Sequence, residues 1–208
     1  MEIKHHAVLY ALLCKNIIEA AGKDKGEELI EKFTELYGLK RGRRMKANSL
    51  HGDLNDYFIN GEWKGRDGEN LSKLSFEEDK TLSVVSKCAW YDAWKQYGLT
   101  DYGSYYCRYI DKAIVKGFDE DLILNVEKAF GYGDDRCVFA WMAKADEKKV
   151  NGTKKEHILS FDHHCKEMYD TALKVLSKHD LQEAAFKALN QWEACFPEYA
   201  GAFELSVN

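Results

Sequence analysis

The segment DYGSYYCRYIDKAIVK (101–116) carries a thiol and a carboxylate, Cys107 and Asp111, four residues apart. On a helix this spacing stacks them on one face, beside the stripe Tyr106, Ile110, Ala113 and Ile114. Burying a charge is costly unless it is paired or used. A carboxylate at Asp111 therefore reads as a cap or ion-pair partner, a general acid or base, or a ligand anchor. Cys107 reads as a nucleophile or as a small buried hydrophobe.

Upstream, KRGRRMK (40–46) resembles a basic patch at first sight. If a helix runs through it, Arg41 and Arg44 share the face of Ile30, Phe33 and Tyr37, while Lys46 turns to solvent. Two guanidinium groups on a core-facing stripe need counter-charges, and Glu62, Asp111 or a substrate carboxylate qualify. The other reading is a solvated basic turn broken at Gly42. Among the histidines, His157 and His164 border the stripe Ile158, Phe161, Cys165, Met168, Ala172 and Val175 of a helix over 155–178, and His163 points outward. His164 is the better-placed proton carrier near neutral pH; His5 and His6 are weaker candidates. Cys137, Phe139 and Trp141 share a strand face, Asn125 lies among aliphatic residues on the partner strand, and Cys88 ends an earlier strand.

The elements that must position these groups are legible in outline. Residues 5–21 have a helical apolar period and read as an amphipathic helix. A second helix covers 25–37, extending to 47 if Gly38 and Gly42 do not stop it. Residues 50–80 read as an ordered loop region bearing aromatic residues, and TLSVVSKCAW (81–90) as a strand. A helix over 101–116 opens at Thr100 or Asp101 and closes at Gly117. The alternating runs 122–130 and 136–143, joined through GYGDD, read as a hairpin. After a polar loop over 144–155, two helices occupy 155–178 and 181–195. The expected class is α+β, with helices at both ends around a small antiparallel sheet that has a central hairpin.

Length and composition bound the rest. A chain of 208 residues favours one domain over 1–208, with 13% aromatic residues to fill its core. The single proline, Pro197, suits long helices. A formal charge of −5 offers no electrostatic case for nucleic acid or an anionic membrane as partner. The apolar N-terminal stretch, interrupted by Cys14 and Lys15, is too short to span a bilayer and lacks a small-residue cleavage site, so a cytoplasmic protein is expected. Six cysteines, at 14, 88, 107, 137, 165 and 195, contain no CxxC or CxxH pair. Free thiols are expected, with no metal and no cofactor. A homodimer is compatible with the sequence.

The runs YGLKRGRRMKA (37–47), NDYFINGEW (55–63), KCAWYDAWKQYG (87–98), YYCRYIDKAIVKGF (105–118), GDDRCVF (133–139) and FDHHCKEMY (161–169) together resemble the bacterial L-2-amino-thiazoline-4-carboxylic acid hydrolase family. The likeness keeps its order over nearly the whole chain. By position, the family pattern falls on Arg41, Gly42, Arg44, Tyr57, Glu62, Trp63, Cys88, Trp90, Cys107, Asp111, Gly117, Phe118, Gly133, Cys137, Phe139 and His164. Ala89 stands where the family often has proline, and Asp119-Glu120 replaces its usual Asn-Pro. GDDRCVF is also similar to an element of four-vinyl-reductase-like domains, which bind small molecules.

The resemblance implies a hydrolase that opens a carboxylate-bearing cyclic amidine at a C–N bond, in cysteine-related metabolism. Such chemistry needs a nucleophile, a proton donor for the leaving ring atom and a cation for the carboxylate. The catalytic candidates are Asp111, Cys107, His164 and Cys88. Those for holding the substrate are Arg41, Arg44, Tyr57, Glu62, Trp63, Asn125 and Cys137. Water activated by Asp111 or His164 is preferred as nucleophile over a thiolate of Cys107 or Cys88. The competing readings are a small-molecule sensor without turnover, and a metal site built from His157, His164 and Asp111 or Cys107.

Overall fold

The computed structural model describes residues 1–150 and 152–203. Helix α1 (Ile3–Ala21) is buried at every position from His5 to Cys14, so it is a central helix apolar on all sides rather than the amphipathic helix expected. Helix α2 (Lys23–Ala47) continues unbroken through Gly38 and Gly42. Glycine inside a helix costs about 1 kcal/mol relative to alanine, and here α5 (Thr100–Phe118) supplies the reason for it. A Cβ on Gly38 would overlap Ala113, and one on Gly42 would overlap the Ile114 carbonyl and the Phe118 amide. A Cβ on Gly117 would in turn overlap the Leu39 backbone. The glycines let the two helix backbones touch, which decides against a basic turn broken at Gly42. α5 ends at Phe118, next to the stop expected at Gly117.

The region 50–80 is more ordered than the loop expected there. Asp53 accepts from the Asp56 amide and caps a short helix, α3 (Leu54–Ile59). Strand β1 (Leu71–Phe76) follows, its pattern hidden by exposed polar residues. Strand β2 (Thr81–Lys87) ends before Cys88. Cys88 is the N-cap residue of a helix, α4 (Ala89–Gln96), whose first two residues fall in the run expected as strand and which buries Trp90, Ala93 and Trp94. β3 (Leu124–Lys128) and β4 (Cys137–Trp141) form the expected antiparallel pair, linked through a 3-10 turn at Phe130–Tyr132 and Gly133 with φ 92°. The sheet order is β1-β2-β4-β3, antiparallel throughout. Its inner face carries Leu124, Val126, Phe139 and Trp141, which pack with Leu54, Tyr57 and Val115.

Helix α6 (Phe161–Ser177) begins later than the sequence suggested, because the Ser160 hydroxyl accepts the His163 amide and caps it there. His157 lies ahead of it in a 3-10 turn, Lys155–His157. Helix α7 (Gln182–Cys195) packs on α1 through Trp192, whose indole donates to the His5 carbonyl at 2.8 Å. The loop expected over 144–155 is irregular where described; Asn151 lies outside the described residues. The class is α+β, with helices at both ends. No described helix is long and apolar enough to cross a membrane.

Candidate functional site

The close α2–α5 crossing brings two charged surfaces of the sequence together. Arg41 is buried on α2, its guanidinium 5.4 Å from the centre of the Tyr37 ring. Its Nε donates to Glu62 Oε2 at 3.3 Å and its Nη1 to the Tyr106 hydroxyl at 3.4 Å. One turn on, Arg44 is gripped by two carboxylates. It donates to both Glu62 oxygens and, at 2.8 and 3.0 Å, to both Glu167 oxygens. Lys40 adds a contact to Glu167 at 2.8 Å. Burial pushes the Glu167 carboxyl up, but the bonds from Arg44 and Lys40 outweigh it and hold it at about 2.

One expectation is corrected here and one alternative is selected. Arg44 does not wait for a substrate carboxylate, because Glu62 and Glu167 already occupy its fork. Glu62 is the counter-charge the sequence offered for both arginines, and it is the shared anchor of Arg41 and Arg44. Arg41, held only by two long bonds, is the cation left facing the interior. Its charge reaches Tyr57, Tyr106 and Asp111.

Asp111 is half-buried and, among the described residues, makes no hydrogen bond or ion pair. Burial pushes its carboxyl up to about 6, against the pull of Arg41. Its charge is felt by Tyr57, Tyr106, Cys88, Cys107 and Cys137. Three thiols, from the start of α4, the middle of α5 and the start of β4, thus lie within reach of one carboxyl's charge. All three are free.

None of these thiols is activated. Burial drives Cys107 well above the usual thiol range; Cys88, Asp111 and Cys137 push the same way, and only the Gly131 amide opposes. Burial also raises Cys88, although the Tyr91 and Trp90 amides at the start of α4 favour its thiolate without forming a capping bond. Cys137 is pushed up to about 12, chiefly by burial. A nucleophilic thiolate needs a neighbouring cation or a similar device, and the leading influences on all three thiols, burial and the Asp111 carboxylate among them, push the other way. The thiolate role considered for Cys107 and Cys88 is therefore corrected: both are protonated at neutral pH.

His164 is also not the proton carrier expected. Its Nε2 is 3.0 Å from the Glu62 carbonyl and its Nδ1 is 3.4 Å from the Tyr37 hydroxyl. Burial, with Arg41 close by, lowers it to about 3. With both nitrogens engaged and the ring neutral, it has no free lone pair for a substrate. His157 bonds Asn60 at 2.8 Å. Among the described residues, no three His, Cys, Asp or Glu side chains gather so as to hold a metal ion.

The remaining candidates divide. Tyr57 packs edge-on against Phe118, 5.4 Å between centroids, close to Asp111. Trp63 meets Trp90 at 4.7 Å. With His6, Tyr37, Arg41, Tyr106, Phe161 and His164, these two indoles close around a gap too narrow to admit a water molecule. Asn125 is exposed on the outer sheet face, paired with Ala140, so its assignment to the substrate is corrected. Sequence reasoning undervalued His6 and missed Tyr106 and Glu167. Tyr106 sits on the apolar stripe of α5, and a polar tip on a buried ring is the signal that flags it.

Residues 1–141, from α1 to the end of β4, match the family model of L-2-amino-thiazoline-4-carboxylic acid hydrolase. The chain belongs to that family. The matched span contains Arg41, Glu62, Asp111, Cys88, Cys107 and Cys137 of this family member, whereas His164 and Glu167 come from α6 beyond it. No curated protein and no solved structure matches the chain. Membership supports a hydrolase-like function in general.

Proposed function

We propose that this protein hydrolyses a small cyclic amidine bearing a carboxylate, of which L-2-amino-thiazoline-4-carboxylate is the first to test. The observation that carries the reading is Asp111. An interior carboxyl without a bonding partner, poised near neutrality beside a buried arginine, is costly to keep and suited to acid–base work. Ionised, it takes a proton from a water as the oxygen bonds to the amidine carbon. Protonated, it returns that proton to the ring nitrogen as the C–N bond breaks. One group does both jobs efficiently only when its affinity for protons is near the working pH.

Arg41 receives the substrate carboxylate in this scheme, exchanging its long bonds to Glu62 and Tyr106 for shorter ones to the ligand. The thiols stay protonated and, with Tyr57, form a wall of low polarity that keeps the Asp111 carboxyl raised. Purified protein is incubated with the thiazoline acid and the product mass followed. Gain of one water, lost in Asp111→Asn, supports the reading. Saturable binding with no turnover replaces it with the sensor reading.

A further inference from the structure

A second line of polar groups crosses the interior and plays no part in the chemistry above. Trp90 Nε1 donates to His6 Nδ1 at 3.1 Å. His6 Nε2 lies 3.2 Å from the Tyr37 hydroxyl, which lies 3.4 Å from His164 Nδ1. His164 Nε2 reaches the Glu62 carbonyl at 3.0 Å.

The two ends fix the direction of every bond between them. An indole N–H only donates, so His6 Nδ1 is the acceptor and Nε2 carries the proton. A carbonyl only accepts, so His164 Nε2 carries its proton and Nδ1 is bare. Tyr37 then accepts from His6 and donates to His164, which leaves no group unsatisfied. Protonating His6 would set its Nδ1–H against the Trp90 N–H. Protonating His164 would leave the Tyr37 hydroxyl hydrogen without an acceptor. The surrounding charges agree: Arg41 faces both rings, and Arg44 and His163 face His164.

This line ties α4, α1, α2 and α6 to the segment that carries Glu62. We propose that His6 and Tyr37 are positioning residues: the one-way chain from Trp90 to the Glu62 carbonyl holds the backbone that presents the Glu62 carboxylate to Arg41, and so keeps Arg41 directed at Asp111. The proposal rests on the reading of Arg41 and Asp111 as the site.

Its test does not need turnover. Histidine-side-chain 15N spectra of the full chain report tautomers directly. His6 and His164 are expected as neutral Nε2–H forms from pH 5 to 8. In Tyr37→Phe, which keeps the ring over which Arg41 lies, the middle of the line is lost: Trp90 still holds His6, but the His164 Nδ1, left without its partner, takes up a proton within this range. The Asp111 midpoint, read from its 13C carboxyl shift, moves up by about half a unit as the hold of Arg41 weakens; an adjacent opposite charge is worth one to three units. Asp111 is otherwise faced by Tyr57, Tyr106, Tyr132, Cys88, Cys107 and Cys137, which this substitution does not touch. If Tyr37→Phe does not fold, Trp90→Phe releases the other end, and His6 is expected to lose its single tautomer. A charged or Nδ1–H ring for His6 or His164 in the wild type at pH 7 overturns the proposal. So do unchanged rings and an unchanged Asp111 midpoint in the folded variant. A wild type inert toward the thiazoline acid sinks the hydrolase reading alone.

Discussion

Across the α2–α5 crossing, Arg41 is the charge that pulls the Asp111 carboxyl back toward ionisation against its own burial. The crossing exists because Gly38, Gly42 and Gly117 offer no Cβ where the helices touch. A packing feature of the fold thereby sets the protonation of the group to which we assign the chemistry.

If Asp111 acts first as a base, kcat/KM for the ring-opening reaction rises with pH and levels off above a midpoint near 6. Asp111→Asn should lower kcat by about 10²-fold or more, the usual worth of a positioned acid–base group. Stopped assays from pH 4.5 to 8.5 check both. A flat profile contradicts the assignment.

The same carboxyl weakens the fold. Its folded value of about 6 lies above the ordinary 3.8. Between those values the folded chain binds more protons than the unfolded one, so stability falls as pH rises through the window. Asp111→Asn should therefore raise stability at pH 7.5 by about 2 kcal/mol, and the gain should vanish near pH 4. Thermal melts at both values decide it.

Several histidines act in the opposite sense. His5 is lowered to about 4 and His164 to about 3, each chiefly by burial, and His6 well below its ordinary 6.5. The unfolded chain takes up these protons below pH 6.5 and the folded chain does not. Stability is full above 6.5 and lost as pH falls toward 4, a loss that the single Asp111 offsets only in part. Melting temperature should drop steadily from pH 7 to 5, and a level plot would contradict the buried neutral rings.

The two arginines should separate cleanly. Arg44→Gln leaves Glu62 and Glu167 short of a partner and should cost roughly 3 kcal/mol of stability, the scale of breaking a buried pair. Arg41→Lys keeps the charge but loses the fork that reads a carboxylate, so it should raise KM about tenfold with a smaller change in melting. Denaturant melts beside steady-state kinetics distinguish them. Equal loss of stability in both variants would undo the division.

What could be read from the sequence follows from how local each feature is. The Cys107–Asp111 stack and the arginine face of α2 depend on helical spacing alone, and both hold in the structure. β1 escaped because its strand is exposed and lacks the apolar alternation that marks a half-buried one. Asn125 was misjudged because its aliphatic neighbours Leu124 and Val126 point to the opposite face of β3, as alternation in a strand requires. His164 looked like a base because its partners, Tyr37 and the Glu62 carbonyl, come from distant segments. Glu62 is legible as a partner of Arg44, but Glu167, over a hundred residues away, gives no local sign of reaching it. Partners supplied by folding, rather than by spacing, were the illegible part.

The assigned chemistry turns on the proton affinity of one side chain. The 13C carboxyl shift of Asp111 is followed from pH 3 to 9 in the wild type and in Arg41→Gln. We expect a wild-type midpoint near 6 that rises when Arg41 loses its charge. A midpoint near 4, unmoved by that substitution, would contradict an interior Asp111 coupled to Arg41 and the chemistry assigned to it.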